Sequence, residues 1–477
     1  MTRQVVRIHD ADGSALRQGV EAIRTEMGVT PEFPAEVEAA AAEAARNPRL
    51  PELDRTDIPF VTIDPSSALD LDQAMHIERD GTGYLVHYAI ADVGAFVTPG
   101  DPVDVEANRR GETLYGAESK IPLHPKVLSE DAASLLPDQV RPALLWTIKV
   151  DSAGEGTEAT VERALVRSRA KLDYDGVQRE IDAGTADEMF ALLRAVGELR
   201  LHREAERGGI SLPLPEQEIE IDAGRWSLSY RCLHPVEEWN AQISLLTGMA
   251  AADMMIYAQV GLLRTLPEPD PRDVQRLHRT ARALGIEWPA ELLYPDFIRS
   301  LDPSRSEHAA MVVASTRLLR GSGYVGFNGA VPEQAEHSAL ASEYAHVTAP
   351  LRRLVDRYAS EICLALSADT EVPPWVVEKL DELPATMQAS GQRARQYENA
   401  IVNLVEAEVL RDSVGQTFDG VVVAVDPEDP RRGEAMVQRP AVEAGVTGSE
   451  KLPLGADVSL RLAEADPATR TVRFELA

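Results

Sequence analysis

The segment "FVTIDPSSALDLDQAMHI", Phe60–Ile77, decides how this sequence is interpreted. It begins as a strand, because its first residues are aromatic and β-branched. Three aspartates then follow within nine positions, at Asp64, Asp70 and Asp72. Asp70 and Asp72 are two positions apart, so in an extended chain both side chains point to one face. Such crowding costs free energy unless a cation neutralises the carboxylates.

Magnesium is the cation that this cluster predicts, with Mn²⁺ as a substitute, because Mg²⁺ takes hard oxygen ligands such as carboxylates. Two such ions, roughly 3.5–4 Å apart, activate a water and stabilise the leaving oxygen in phosphodiester hydrolysis. The spacing leaves open whether one or two ions bind, and an acidic surface loop without metal is the alternative. A calcium-binding EF-hand loop is excluded, because Leu69 and Met75 stand where that loop needs Gly and Glu.

A second candidate segment is "EYAHVTAPLRRLVDRYASE", residues 343–361, which reads as a helix beginning near its proline. Arg352 and Asp356 are four positions apart, so we expect the carboxylate to orient the guanidinium. Arg353 and Arg357 have the same spacing and are predicted to form a basic stripe. Guanidinium groups bind phosphate in a bidentate way. A surface helix with ordinary ion pairs is the alternative.

A third segment, "RRGETLYGAESKIPLHPKVLSEDAASLLP", contains Tyr115 between polar residues and glycine. This context predicts a loop. A tyrosine there can stack on a nucleic-acid base, and the alternative is a side chain that only covers the loop.

The stretch "GSGYVG", residues 321–326, matches the dinucleotide-binding fingerprint G-x-G-x-x-G. That fingerprint requires a strand before it and a helix after it. Here a helical pattern precedes the glycines, so we interpret the stretch as a flexible loop and expect no nucleotide cofactor.

Composition restricts the class of protein further. The chain has 477 residues, which favours two or three domains. Its formal net charge is −30, which argues against a basic nucleic-acid-binding surface, although a basic groove can lie beneath an acidic exterior. Cys232 and Cys363 are far apart in the sequence, as expected for a reducing compartment. With no apolar signal segment and no membrane-spanning run, we predict a cytoplasmic protein without membrane contact.

The order of patterns predicts three domains. Residues 1–50 form a small helical unit, either helix-turn-helix-like or a plain helical hairpin packed on the main body. Residues 51–411 place strands before longer helices, which indicates the α+β class. From residue 412 to residue 477, short strands separated by turn residues predict a small closed β-barrel.

Taken together, the ordered motifs resemble the RNB catalytic domain of the ribonuclease II / ribonuclease R family. The similarity covers roughly residues 51–411, and the terminal barrel resembles the OB-type RNA-binding domain of these enzymes. The stretches that carry it are "FVTIDPSSALDLDQA", "HYAIADV", "TLYGAESKIPLHPKVLSEDAASLLP", "EYAHVTAPLRRLVDR" and "RQYENAIVNL".

The resemblance implies a processive 3′→5′ exoribonuclease that hydrolyses single-stranded RNA to nucleoside 5′-monophosphates and acts as a monomer. It implies a metal site formed by Asp64, Asp70, Asp72 and Gln73. It implies that catalysis depends on Asp70, Asp72 and Arg352. It implies that RNA is bound by Tyr115, Arg352, Arg353 and Glu398.

Three departures from the family pattern qualify this expectation. Gln73 stands where most members have a fourth aspartate, so we expect weaker metal binding at this position, or a water between the amide and the metal. The N-terminus is too short for cold-shock-type barrels. The terminal barrel has only Phe418 and Phe474 as aromatic residues, so phosphate contacts would supply most of its affinity and make binding salt-dependent.

Two other functions are compatible with the sequence. One is a catalytically weakened RNA-binding regulator that has kept the fold, which Gln73 and the aromatic-poor barrel favour. The other is a two-metal phosphohydrolase acting on nucleotides or small phosphate esters, for which an RNA-binding barrel is unnecessary.

Overall fold

The computed structural model describes residues 5–6, 14–116, 120–214, 216–222 and 225–477. Residues 1–4 and 7–13 of the predicted helical unit, and residues 117–119 of the third candidate segment, lie outside the described residues.

Two helices precede a region that is rich in strands, helices dominate the middle of the described chain, and strands form its end. The strands are β1 (Val5–Val6), β2 (Phe60–Ile63), β3 (Gln73–Asp80), β4 (Gly83–Ala91), β5 (Leu114–Tyr115), β6 (Lys120–Ile121), β7 (Val140–Val150), β8 (Gly156–Leu172), β9 (Glu216–Asp222), β10 (Arg225–Arg231), β11 (Val260–Thr265), β12 (Gly323–Asn328), β13 (Glu336–His337), β14 (Ser342–Glu343), β15 (Thr417–Val425), β16 (Arg432–Gln438), β17 (Ala441–Thr447), β18 (Asp457–Asp466) and β19 (Thr471–Leu476). The helices are α1 (Ser14–Met27), α2 (Ala35–Arg46), α3 (Pro102–Arg110), α4 (Tyr174–Ala183), α5 (Glu188–Arg207), α6 (Pro235–Ala258), α7 (Pro271–Ala283), α8 (Tyr294–Arg299), α9 (Ser306–Ser315), α10 (Leu354–Ser367), α11 (Pro374–Val377) and α12 (Leu383–Leu410).

The first barrel carries the aspartate segment. Its strands close in the order β2-β3-β4-β7-β8, and β2 pairs in parallel with the end of β8. The other neighbours pair antiparallel. The segment between β2 and β3, which contains the three aspartates, therefore leaves the barrel at the point where the sheet closes.

Neighbouring residues of the barrel strands contribute alternately to two apolar clusters. Tyr88 and Trp146 belong to the cluster that also contains residues of α5, α6 and α10. Ala89 follows Tyr88 in β4, and Leu145 precedes Trp146 in β7. Both belong to the cluster that contains residues of α2. This alternation is the two-residue period of a strand, and it lets the barrel pack apolar side chains on both faces.

The terminal barrel closes in the order β15-β16-β17-β19-β18. The strands β17 and β19 pair in parallel, and β18 returns to β15. Helix α12, of 28 residues, connects it to the rest of the chain. The predicted α+β class and the predicted OB-type barrel are both confirmed.

The two N-terminal helices pack in different places. Leu16, Val20 and Ile23 of α1 lie in a cluster with α12 and the terminal barrel. Val37 and Ala41 of α2 lie in the cluster against the first barrel. The helices are those that the sequence predicts, while the domain boundaries stay a prediction.

The glycine-rich stretch "GSGYVG" is not a loop. Most of it forms strand β12, which pairs antiparallel with β11. The prediction of a flexible loop was wrong because the pairing strand lies more than 50 positions away in the sequence. In the described part of the chain, no helix has the length and apolarity needed to cross a membrane.

Candidate active site

One large cleft is lined by all eight residues that the family resemblance assigns to metal binding, catalysis or RNA binding. Its volume is about 2270 Å³, and it extends from the first barrel past β10 and α9 to the terminal barrel. The structure brings together in this cleft Asp64, Asp70, Asp72, Gln73, Tyr115, Arg352, Arg353 and Glu398.

Asp72 lies immediately before β3 and faces the arginine segment. Its Oδ1 accepts a hydrogen bond from the backbone N–H of Leu351 at 2.8 Å. Its Oδ2 lies 3.3 Å from Nε of Arg352. Burial raises the pKa of Asp72 to about 7, and the Arg352 charge opposes that shift. The carboxylate is therefore held against a guanidinium in a site that does not fully compensate its charge.

Asp64 lies at the end of β2 in a similar environment. Burial raises the pKa of Asp64 to about 7, Arg352 lowers it, and the neighbouring Asp70 raises it further. An additional positive charge in this place would therefore favour the ionised form of both Asp64 and Asp72.

Asp70 is paired with a cationic side chain. Nζ of Lys120 lies 2.6 Å from Oδ1 of Asp70 and 3.1 Å from Oε1 of Glu130. As they stand, no three His, Cys, Asp or Glu side chains of the described residues are grouped closely enough to hold a metal ion. The three aspartates nevertheless offer only hard oxygen donors, which suit Mg²⁺. For Asp70 to serve as a ligand, it must exchange Lys120 for the ion.

Gln73 uses both ends of its amide within the protein. Its Nε2 donates to the backbone carbonyl of Thr348 at 2.6 Å, and its Oε1 accepts from the hydroxyl of Tyr88 at 2.8 Å. A carbonyl group only accepts hydrogen bonds, so the nitrogen must be the end that faces Thr348. These contacts support a structural link between β3 and the arginine segment, and a metal-ligating role for Gln73 stays a prediction.

The arginine segment is arranged differently from the expected helix. Helix α10 begins only at Leu354, and Arg353 before it has an extended backbone. Because Arg352 precedes the helix, the four-residue spacing does not bring it to Asp356. The expected pairing was wrong: Asp356 accepts two hydrogen bonds from Arg353, at 2.9 and 3.0 Å, and Arg352 faces Asp72 instead.

The predicted basic stripe of Arg353 and Arg357 does not form either. Arg357 is buried, with Nη1 2.6 Å from Oδ1 of Asp104 and its guanidinium 4.9 Å from the ring centre of Trp375. It therefore stabilises the packing of α10 and does not line the cleft.

Tyr115 belongs to a short strand, β5, and not to a loop as predicted. It keeps 40% of its surface exposed and lines the cleft. The residues before it pair with the arginine segment, since Thr113 N–H donates to Arg352 C=O and Leu354 N–H donates to Gly111 C=O, both at 3.0 Å. The backbone thus places an accessible aromatic ring next to the arginine.

Glu398 lies on α12 and lines the same cleft. Burial raises its pKa, and the nearby carboxylate of Glu112 raises it further. Glu398 is thus a further acidic group of the cleft, and its role stays a prediction.

Acidic side chains outnumber basic ones in the lining of the cleft, although the sequence had left a basic groove possible. Among the described residues, eight carboxylate side chains line the cleft: Asp64, Asp70, Asp72, Glu130, Glu237, Glu238, Asp302 and Glu398. Six cationic side chains of the same described set line it: Lys120, Lys126, Arg231, Arg352, Arg353 and Arg439. Five of the six lie within 4 Å of a carboxylate.

Sequence reasoning missed Lys120, although it lies within a quoted motif. A single lysine has no local sequence signal that distinguishes an ion-pair partner of Asp70 from a solvated side chain. It also missed Ser134 and Lys171, which contact the backbone of the aspartate segment.

Comparison with known proteins places this arrangement in context. The family model of the RNB domain matches residues 53–367, and that of the RNase II-type exonuclease C-terminal S1 domain matches residues 416–477. Ribonuclease R of Escherichia coli (strain K12) is 27% identical over 397 residues, which cover 78% of this chain and 48% of that protein. The chain therefore spans about half the length of this relative.

Solved structures share the fold. Mycoplasma genitalium RNase R in complex with ribose methylated single-stranded RNA has a TM-score of 0.85 at 19% identity, covering 98% of this chain and 79% of that one. Yeast Ssd1, described as a pseudonuclease, has a TM-score of 0.71 at 14% identity, covering 97% and 58%. The fold is thus similar to that of a ribonuclease and to that of a protein described as a pseudonuclease, so fold alone does not decide activity.

Proposed function

The chain belongs to the RNB-domain family, and from this premise we propose that it is a processive 3′→5′ exoribonuclease. Its substrate is single-stranded RNA, its products are nucleoside 5′-monophosphates, and its cofactor is Mg²⁺ or Mn²⁺. We also propose that residues 1–50, 51–411 and 412–477 are its domains and that it acts as a monomer in the cytoplasm.

The observation that carries the proposal is the ion pair between Asp72 and Arg352 in the cleft, where Oδ2 of Asp72 lies 3.3 Å from Nε of Arg352. Asp64 and Asp70 lie in the same cleft. This combination of clustered carboxylates and a guanidinium suits a phosphodiester whose charge is neutralised from two sides. A binding surface alone has no need for desolvated acids beside an arginine.

Asp64, Asp70 and Asp72 are the residues that would hold the divalent cation. When bound, such an ion polarises the phosphate and lowers the pKa of a coordinated water. Arg352 then exchanges the Asp72 carboxylate for a phosphate oxygen and stabilises the charge that develops there. Tyr115 stacks on a base and aligns the strand with Arg352.

The alternative is an RNA-binding regulator without catalysis. The pairing of Lys120 with Asp70 favours it, because the lysine supplies a positive charge where a metal ion would otherwise be needed. The structural similarity to a pseudonuclease is compatible with it. Retention of Asp64, Asp72 and Arg352 in one cleft favours the enzyme.

The deciding experiment uses RNA labelled at its 5′ end, with and without a duplex segment, and resolves the products at nucleotide spacing. We expect a short 5′-labelled end product without a ladder of intermediates in Mg²⁺ or Mn²⁺, and almost no product from Asp72→Asn. A parallel sample of uniformly labelled RNA should release free mononucleotides. Asp57→Asn, at an exposed position outside the cleft, is the matched control and should retain activity.

Each other outcome identifies a competing function. Tight RNA binding without products, in either metal, would establish the regulator. Faster turnover of a mononucleotide ester than of an RNA oligomer would indicate the small-substrate phosphohydrolase.

A further inference from the structure

The segment that carries the three aspartates has no regular structure of its own. Between the end of β2 at Ile63 and the start of β3 at Gln73, the chain is in neither helix nor strand. Three carboxylates that share a cation must be held within fractions of an ångström. Contacts from elsewhere in the fold must therefore hold this segment in place.

Lys171 holds one side of the segment. It lies at the end of β8, where its backbone is the pairing partner of Thr62 in β2. Its Nζ donates to the carbonyl of Ser66 at 2.7 Å and also to the carbonyl of Ala68. The residue after it accepts a hydrogen bond from the N–H of Asp64 at 3.0 Å. The end of β8 thus fixes both Asp64 and the turn that follows it.

Ser134 holds the other side. Its side chain is fully buried, and its Oγ accepts from the N–H of Leu71 at 2.9 Å and donates to the carbonyl of Leu69 at 2.6 Å. The next residue, Leu135, donates its N–H to the carbonyl of Leu71 at 3.0 Å. The hydroxyl therefore bridges the residues on either side of Asp70.

We propose that Lys171 and Ser134 are positioning residues that set the relative places of Asp64, Asp70 and Asp72 for cation binding. Neither needs to touch the cation or the RNA. They fix the backbone from which the three carboxylates project, as partners of ligands do in other metal sites. This inference rests on the proposed function, because it assumes that the aspartates bind a divalent cation.

The charge of Lys171 makes the inference testable, because a purely electrostatic role and a positioning role predict opposite changes in cation affinity. A lysine near carboxylates repels a divalent cation, so its removal by itself would tighten cation binding. If Lys171 acts by fixing the backbone, its removal must instead weaken binding. Ser134 carries no charge, so it has only the geometric effect.

The test measures Mn²⁺ binding by isothermal titration calorimetry on the full chain without RNA. The variants are Lys171→Met, Lys171→Arg and Ser134→Ala. Lys149→Met is the control, because Lys149 lies on the neighbouring strand β7 and forms an exposed ion pair with Glu158. We expect Lys171→Met and Ser134→Ala to weaken Mn²⁺ binding roughly 10–100-fold. Lys171→Arg should recover most of the affinity, and the control should match the wild type.

RNA affinity in EDTA provides the second readout, with thermal unfolding as a check that each variant is folded. We expect RNA affinity without metal to change less than threefold, because the positioning acts on the aspartates. Unchanged or tighter Mn²⁺ binding by folded Lys171→Met would overturn the inference. If the wild-type chain itself binds no Mn²⁺, the proposed metal-dependent function fails instead, so the two failures are distinguishable.

Discussion

Replacing Gln73 with glutamate tests whether this side chain serves the metal or the protein. The variant keeps the length and shape of the side chain and exchanges its NH₂ group for an oxygen. If Gln73 faced a divalent cation, the added charge would tighten metal binding. In the structure that NH₂ group donates to the carbonyl of Thr348 at 2.6 Å, so the new oxygen would face another oxygen.

The expected magnitude follows from the burial of the two partners. Thr348 is 2% exposed and Tyr88 is fully buried, so neither gains a water when its partner is lost. The Tyr88 hydroxyl can still donate to a carboxylate, but the Thr348 carbonyl loses its donor. An unsatisfied buried group costs about 1–3 kcal/mol. We therefore expect Gln73→Glu to lower the free energy of unfolding by about 1–3 kcal/mol at pH 7.5.

Urea unfolding at pH 7.5 and pH 5 measures this cost. A protonated glutamate has an O–H that can donate to the Thr348 carbonyl. The difference in unfolding free energy between the variant and the wild type should therefore be smaller at pH 5. Gln396→Glu, at an exposed position of α12, is the matched control and should change stability by less than about 0.5 kcal/mol. A Gln73→Glu variant as stable as the wild type at pH 7.5, with tighter Mn²⁺ binding, would refute the reasoning.

Three further predictions concern other parts of the molecule. Arg353→Lys loses the two-pronged contact with buried Asp356, so urea unfolding should detect a loss of about 1–3 kcal/mol, and an unchanged stability would contradict the assigned pairing. Tyr115→Ala should weaken RNA binding in EDTA by about 1–3 kcal/mol and lengthen the shortest product, whereas Tyr115→Phe should preserve both; equal affinities for the two variants would exclude stacking. Burial raises the pKa of Glu406 to about 7 from an ordinary value of 4.5, so its contribution to stability is complete below pH 4.5 and is lost as the pH rises through 7. Between pH 4.5 and pH 8, the unfolding free energy of Glu406→Gln should therefore rise by about 3 kcal/mol relative to that of the wild type. A difference that does not change with pH would show that the carboxyl is not held in its protonated form.

Much of the fold follows from the sequence because the decisive patterns are local. The β-branched and aromatic residues of β4 and β7 indicate strands, and so do the short terminal segments separated by turn residues, without knowledge of the partner strands. The helical spacing in α1, α6 and α12 likewise reports a helix. The stretch "GSGYVG" failed by the same criterion, because its strand character depends on pairing with β11.

The site was only partly predictable, for a related reason. Ordered motifs were enough to collect the aspartates, Tyr115, Arg352 and Arg353 as one group, and the cleft contains them. Their partners were not predictable from spacing. The four-residue rule assumed a helix around Arg352, and the helix starts after it.

The amino-acid sequence by itself determined most of the strands and helices, the aspartate cluster and the family, since each rests on residues that are neighbours in the chain or on the order of motifs along it. Tertiary structure alone decided that Arg352 faces Asp72, that Lys120 pairs with Asp70, and that Gln73 links Tyr88 to Thr348. Most of these contacts join segments far apart in the chain. Their geometry depends on how the barrel, the arginine segment and the cleft pack together, and no local spacing encodes that packing.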